Sequence, residues 1–594
     1  MPGESRRIVF PEDVWIRRFS VSEGQSMLLR AESDVSDTAD TQRNLLSKEG
    51  SVLPRFSIED PVKLRALKGS ASLKHYKGYL KLTLCGFILM ALAYTIYIVD
   101  PLEFAKTKYM NIEEGTFLYS LWQKPPVKIF IKVFIFNVTN AKEFLMKKDL
   151  KLKVHEIGPY VYSEQLVNTN VTFNNNHTVS YRPIRTLRFE PGLSVGNPME
   201  DLITVSNIPF LGITSMLHNS SMTLNLGLSG IVSFLDTQPF VDVSVHDFLW
   251  GYDEQLVKLA SKILPNWITF PKFGLLDRLL DEGNNTVTMH VADKSKKDVN
   301  KKLYSIDQMN GYPGLPQWGY KSGYNRTTCN NVQGAFEGYV YPRHISPNDT
   351  FFLYRKSFCR TLPLVYNKSG FSDRGIPVFI YKLAENALDS PIMNPDNACY
   401  CKNTNKPCLP SGLSDLSPCY YGIPVAISLP HFLRADPDLL NKVEGLRPDI
   451  EKHDTIVKVQ PDLGFPIYVN TRVQLNLVVH KTKFTPRVKP FDNMVIPVFW
   501  LQVEMTQLPD SINHLLDLLV FIVPVLQKTI MWFLFLVGFS LLLIASIGYV
   551  WISQFFNNTS PLISKNMKKH EKLVNVSQMQ IIPLTNVHSI ARGR

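Results

Sequence analysis

The chain has 594 residues, of which 45% are hydrophobic and 11% aromatic, enough to build a packed core and to exclude a wholly disordered polypeptide. Its formal charge of +12 raises the question of an acidic partner, a nucleic acid or a membrane surface. The excess lies toward the two ends, and residues 100–552 are close to neutral, so no basic face for nucleic acid is expected and the charge points to a membrane.

Residues 1–77 mix Asp, Glu, Ser and Arg with few apolar runs and are expected to form a disordered cytoplasmic tail. Leu28-Leu29 and Leu45-Leu46 in that tail each follow an acid and loosely match an endosomal sorting signal. Residues 78–99 are predicted as a first transmembrane helix, because residues 82–99 contain no Asp, Glu, Lys or Arg and can cross about 30 Å of hydrocarbon at about 1.5 Å per residue. The run starts too far into the chain for a cleaved signal peptide and reads as a retained anchor. Residues 100–528 form one large domain, residues 529–552 a second uncharged transmembrane helix, and residues 553–594 a basic cytoplasmic tail.

Lys63, Arg65, Lys68, Lys74, Lys77 and Lys81 precede the first span, and Lys565, Lys568, Lys569 and Lys572 follow the second, which predicts a hairpin with both termini cytoplasmic. Glycosylation sequons at Asn137, Asn170, Asn176, Asn219, Asn284, Asn325, Asn348 and Asn367 all fall between the spans, on the exoplasmic side in this topology. Those at Asn557, Asn558 and Asn575 are expected to stay bare.

Within the domain, residues 128–136, 378–383, 473–477 and 495–503 are rich in β-branched and aromatic residues or alternate with period two, and read as strands. Pro and Gly recur between them, as in Gly311-Tyr312-Pro313-Gly314, so an antiparallel sheet or barrel is expected. Leu256, Leu259, Ala260 and Ile263 follow Asp253 at helical spacing, with Asp253 as the cap. Residues 202–235 hold no charged residue and many large apolar ones, broken by Asn, Ser, Pro and Gly. Two readings stand for them: a buried helical hairpin, or an exposed helical cap that accepts lipid through Phe210, Leu211, Met216, Leu217 and Met222. Cys329, Cys359, Cys399, Cys401, Cys408 and Cys419 lie in the domain and Cys85 in the first span. An even count in an oxidising compartment favours three disulfides, in any of fifteen pairings, over a zinc site at Cys399, Cys401 and Cys408.

Catalytic signatures are weak. Gly192-Leu193-Ser194-Val195-Gly196 matches a hydrolase nucleophile elbow, but Pro191 before it and Asn197-Pro198 after it oppose the strand–turn–helix that the elbow requires. His218, His246, His344 and His431 assign no base, and no phosphate loop, zinc-protease motif or dinucleotide fingerprint occurs. No enzyme, cofactor or metal is expected.

Glu113-Glu114-Gly115-Thr116, Phe136-Asn137-Val138-Thr139-Asn140, Gly158-Pro159-Tyr160, Phe189-Glu190-Pro191-Gly192-Leu193-Ser194-Val195-Gly196, Leu249-Trp250-Gly251-Tyr252, Asn394-Pro395-Asp396-Asn397 and Leu429-Pro430-His431-Phe432-Leu433 occur in this order. Together they resemble the scavenger receptor class B family, which includes the fatty-acid translocase, lipoprotein receptors, the lysosomal integral membrane protein type 2 and sensory neuron membrane proteins. The resemblance covers residues 78–552. It implies an α+β membrane protein with an antiparallel β-barrel-like ectodomain, an apical helical bundle and two transmembrane helices in a hairpin. It also implies the pairing Cys329–Cys399, Cys359–Cys419 and Cys401–Cys408, and a plasma-membrane receptor that binds lipid or lipoprotein and passes lipid through a tunnel to the bilayer. A basic apical loop of the family has its match at Phe234-Leu235-Asp236-Thr237-Gln238, without lysine, and no Lys or Arg occurs between Arg188 and Lys258, which favours neutral cargo such as a sterol, carotenoid or ester. The long N-terminal tail also departs from the family, and the tails lack the juxtamembrane cysteines that some members palmitoylate, which leaves Cys85 as the one site for a lipid anchor. The alternatives are a lysosomal or endosomal sorting receptor with a protein ligand, a sensory receptor for lipid pheromones, and, from another class, a double-pass ligand-gated channel. The channel would need a polar pore face, and the second span offers only Thr529, Ser540 and Ser546.

Overall fold

The strands that carry the domain are built where β-branched and aromatic residues alternate across a buried and a wet face. In a computed structural model, which describes residues 61–266, 268–280, 283, 285–292, 301–401, 408–505 and 507–577, they are β1 Ile129–Val138, β2 Leu152–Asn174, β3 Thr178–Phe189, β4 Leu202–Ser206, β5 Phe240–Ser244, β6 Val287–His290, β7 Ile306–Met309 and β8 Phe351–Arg355. They continue as β9 Arg360–Phe371, β10 Pro377–Leu383, β11 Ser414–Asp415, β12 Val425–Ser428, β13 Val443–Glu444, β14 Ile456–Gln460, β15 Phe465–Val479 and β16 Met494–Met505. The dileucines at 28–29 and 45–46 and the sequon at Asn284 lie outside the described residues.

Fourteen strands form one sheet, in the order β7-β6-β3-β2-β1-β16-β15-β14-β10-β9-β8, with β12 on β15, β11 on β12 and β13 on β2. All pairs are antiparallel except β13 with β2. The large core sits on the central strands, where Val133, Ile135, Leu477, Val479 and Ile496 are buried. At the two edges, the backbone of Gly334, Ala335 and Phe336 bridges β7 and β8. Ile306 N–H donates to Ala335 O at 2.7 Å, and Phe336 N–H to Phe352 O at 2.7 Å. The ladder itself is an open path, and this non-strand segment joins its ends by backbone hydrogen bonds.

The shared motifs act as locks. Asn140, buried, donates to Asp149 Oδ2 and Lys151 O and accepts from Lys153 N–H, all at 2.8–2.9 Å. Ser194, the elbow-like serine, accepts from Val161 N–H and donates to Glu190 O, both at 2.9 Å, and so closes a turn. Asp454, 1% exposed, holds both arms of Arg434 at 2.9–3.0 Å and Lys382 Nζ at 2.9 Å, tying β10 to the segment after the Leu429–Leu433 motif. The disulfides of the domain are Cys329–Cys399, Cys359–Cys419 and Cys401–Cys408, and Cys85 is free.

Two described helices are long and apolar enough to cross a membrane, His75–Val99 and Asp510–Phe555. The first is part of a helix that already begins at Pro61, within the stretch expected to be disordered, and the second runs on to Ser577, beyond the expected end at 552. The spans meet at two glycines: a Cβ on Gly86 would lie 2.9 Å from Gly538 O, and one on Gly538 2.9 Å from Gly86 O. Small residues at such a crossing let the backbones approach. Just outside, Gln527 Nε2 donates to Asp100 Oδ1 at 2.9 Å and Leu102 N–H donates to Gln527 Oε1 at 3.2 Å.

Candidate functional site

The uncharged interval folds as β4 and two helices, Ile208–Met216 and Met222–Phe234. Asn207 caps the first by accepting from Phe210 N–H at 3.1 Å, and Pro209 suits its first turn. This helix belongs to the core. Phe210 and Leu211 are fully buried, and Ser215 Oγ both donates to Val478 O at 2.9 Å and accepts from His480 N–H at 2.8 Å, which fixes the helix against β15. The expectation that Phe210 and Leu211 form an exposed lipid-accepting surface is therefore corrected, because both are fully buried where the helix packs into the core. Met216 and Leu217 are half-buried, and Met222 is exposed.

The second helix carries large apolar side chains on both faces, whereas an ordinary surface helix turns its apolar stripe inward. Asn225, Leu228, Ser229 and Val232 share its inner face, where Asn225 Nδ2 donates to Leu217 O and Ser220 O and Ser229 donates to Phe484 O at 2.8 Å. Met222, Leu224, Leu226, Ile231 and Phe234 are exposed, Phe234 at 88%. Only Phe234 is nearly fully exposed; the others keep about half their area in water, and a contiguous exposed apolar face of this kind is uncommon on a monomer.

The surface beside this helix is not uncharged. The segment after β15 docks on the two helices through the Ser215 and Ser229 contacts and through Arg487, which donates to Thr237 O at 2.9 Å and pairs with Asp236 at 2.7 Å. Lys481, Lys483 and Lys489 of that segment are exposed. The interval from Arg188 to Lys258 lacks cations, but the fold brings them from some 250 residues downstream.

Two apolar cavities lie farther in. One, of about 50 Å³, is lined by Ile208, Phe270, Phe273, Tyr420, Ile423 and Leu475 beneath the first helix. The other, of about 130 Å³, lies between the Phe117–Gln123 helix, the ends of β15 and β16, and the Asp510–Asp517 helix that runs into the second span. Next to it, Arg185 pairs with Glu164 at 3.1 Å and Tyr181 hydrogen-bonds Glu337. The helix after Asp253 runs Gln255–Ile263, and its cap is the buried Glu254, accepting from Val257 N–H at 2.9 Å. Asp253 instead pairs with Lys272 at 3.1 Å. Burial raises the Glu254 carboxyl above the usual range, with hydrogen bonds from Val257 and Asn207 opposing.

The Leu429–Leu433 motif contributes a buried histidine pair. His431 Nε2 lies 2.6 Å from Glu156 Oε2, its Nδ1 accepts from Arg447 N–H at 3.0 Å, and its ring stacks on His453 at 4.4 Å. His453 Nδ1 accepts from Asp449 N–H at 3.0 Å, and Trp500 donates to Glu156 at 2.8 Å. Burial, with the neighbouring His431, lowers the His453 pKa to about 4. A histidine with a depressed folded pKa leaves stability intact above its unfolded value of about 6.5 and removes it as pH falls toward 4. Lowering pH from 7 to 5 is expected to remove about 2 kcal/mol through this group alone. His453→Asn, which keeps an acceptor for Asp449 N–H, should flatten that slope in melts taken across pH 7 to 5; an unchanged slope would show that His453 does not carry it.

Of the sequons, Asn170, Asn176, Asn219, Asn325, Asn348 and Asn367 are exposed, and Asn219 stands at the turn between the Ile208–Met216 and Met222–Phe234 helices. Asn137 is half-buried in β1 and its Oδ1 accepts from Thr204 N–H at 2.8 Å. No cluster of three or more His, Cys, Asp or Glu suited to a metal occurs among the described residues.

The CD36 family sequence model matches residues 83–549. The chain is 30% identical to pig scavenger receptor class B member 1 over 420 residues, 70% of this chain and 78% of that protein. It is also 30% identical to rat lysosome membrane protein 2 over 396 residues, 66% of this chain and 78% of that one. With two membrane-length helices flanking a large antiparallel sheet held by three disulfides, the chain belongs to the CD36 family.

Proposed function

We propose that this chain is a cell-surface receptor that takes lipid, free or from a lipoprotein, at the outward apolar face of the Met222–Phe234 helix and passes it through the sheet interior to the cavity beside the membrane. The exposed apolar face of this helix carries this reading, and family membership supports a lipid-related receptor rather than an enzyme. The backbone bridge from Gly334 to Phe336 supports a sheet closed into a barrel around that route. An enclosed path spares the lipid an aqueous crossing costing about 25 cal/mol per Å² of apolar area, so a gradient suffices to drive transfer. Lysines at both cytoplasmic flanks support cytoplasmic termini. Exposed Lys481, Lys483 and Lys489 widen the cargo class beyond the neutral lipids expected from the sequence interval alone. The likeness to lysosome membrane protein 2 raises lysosomal residence as a second reading.

Met222→Glu and Phe234→Glu test the uptake face. Both positions are exposed, so the variants should reach the cell surface while uptake of a fluorescent cholesteryl ester from lipoprotein falls by about tenfold or more, a charge there opposing transfer by its desolvation cost. Phe210→Glu, in the core, should be retained inside the cell. Normal uptake by both exposed variants would remove this helix from the route.

A further inference from the structure

Arg343 and Arg360 are the two arginines buried among the described residues, and their surroundings differ. Arg343 is paired with Glu103. Arg360, at the start of β9, is held by neutral groups alone. Its Nη1 donates to Ser414 Oγ at 2.7 Å, its Nη2 donates to Ala387 O at 3.1 Å and to Asn397 Oδ1 at 3.0 Å, and its Cζ lies 3.9 Å from the centre of the Tyr400 ring. Nε is buried without an acceptor. Burial lowers the pKa of this guanidinium, and the neighbour that opposes the shift is Tyr400, not an acid. Ser414, also buried, accepts from Arg360, and its own proton meets no acceptor within hydrogen-bond distance among the described residues.

Both side chains line a cavity of about 40 Å³ beside the Cys401–Cys408 disulfide. Asp389 and Asp415 line it too, but Asp415 turns its carboxylate onto Ser417, accepting from the N–H at 2.8 Å and from the hydroxyl at 3.0 Å, and neither acid pairs with Arg360. The six residues between Cys401 and Cys408 include two lysines and no acid, so the sequence supplies no counter-charge there.

A guanidinium keeps its proton, and a buried charge without a counter-charge is costly. The two unmet groups, Arg360 Nε–H and the Ser414 hydroxyl, are both donors, and the fixed positive charge repels a cation. A water molecule's share of the liquid is about 30 Å³, so the cavity holds one guest of about that size, which a halide matches and a sulfate or phosphate exceeds. We propose that Arg360 and Ser414 hold one small monovalent anion of the halide class in this cavity. The ion supplies the counter-charge that the chain omits and fastens the starts of β9 and β11 to the disulfide beside them.

The test follows thermal unfolding of the full-length protein in phosphatidylcholine nanodiscs at pH 7.4, with chloride replacing gluconate stepwise at a constant ionic strength of about 150 mM so that screening stays fixed. The wild-type midpoint is expected to rise by about 3 °C and to saturate, as for a ligand that binds only the folded state. Arg360→Gln should abolish the rise. Ser414→Ala, which keeps the charge and removes the hydroxyl donor, should raise the half-saturating chloride concentration about tenfold, and it keeps the test open if the Gln variant does not fold. A wild-type midpoint indifferent to chloride, the result if water fills the cavity, would overturn the proposal. So would a rise of unchanged half-saturation in either folded variant.

Discussion

Asp454→Ala is expected to destabilise the domain by about 3–5 kcal/mol, because it strips one buried carboxylate from two cations at once. Arg434 uses both arms on Asp454, Lys382 adds a third contact, and Asp454 Oδ1 also accepts from Thr455 N–H at 2.9 Å. Burial alone would raise the Asp454 carboxyl, yet Arg434 and Lys382 hold it below its ordinary range. Arg434 also sits at a φ of 56°, so the carboxylate pins a backbone conformation that is unfavourable for a side chain with a Cβ. A domain of ordinary stability, about 5–15 kcal/mol, then loses a large share of it. Urea unfolding of the purified protein would register this as a lower midpoint at unchanged slope. A shift below 1 kcal/mol would mean that solvent replaces the carboxylate without penalty.

The second large effect concerns the disulfides, which differ in the length of chain they close. Cys359–Cys419 spans 60 residues and Cys401–Cys408 spans 7, so the chain-entropy account assigns about 4 kcal/mol to the first and about 2.5 kcal/mol to the second. Cys359 is also fully buried, and its carbonyl accepts from Trp318 Nε1 at 2.5 Å, so its bridge joins packed elements rather than a surface loop. Replacing Cys359 and Cys419 together by Ser should abolish surface delivery at 37 °C, whereas the Cys401 and Cys408 pair of substitutions should only reduce it. The reverse order, read by surface biotinylation, would contradict a role set by loop length.

Sequence patterning shows the strands richest in β-branched and aromatic residues, β1, β10 and β16, and the alternation at 473–477 shows β15, although its polar Gln474 and Asn476 are fully buried rather than facing water. It does not show β2, the longest strand, since Gly158-Pro159 and a polar second half read as a break. Pro159 sits where the register with β1 shifts between Val133 and Ile135, so no ladder donor is missed there. Composition cannot separate the two helices of the uncharged interval either: both are strongly apolar, and only tertiary packing makes Phe210 core and Phe234 surface. The motif residues announce the family without announcing their work, which is largely to close turns and hold loops, as Ser194 and Asn140 do. The lysines after β15 lie in no motif and come beside the Met222–Phe234 helix only through long-range folding.

The second span and a wall of the cavity beside the membrane belong to one helical rod. From Asp510 it runs through a π-helical turn at Leu518–Ile522, just ahead of Pro524, and on into the bilayer without a linker. Leu515, Leu516 and Leu519 on that rod face the cavity, while Gly538 farther along it bears on Gly86. A span meets a thicker or thinner bilayer by tilting. Here a tilt about the glycine crossing is also a displacement of the cavity wall, with only the wider π turn to absorb it. A tilt of the span would therefore be felt at the cavity wall, because the two share one continuous helix.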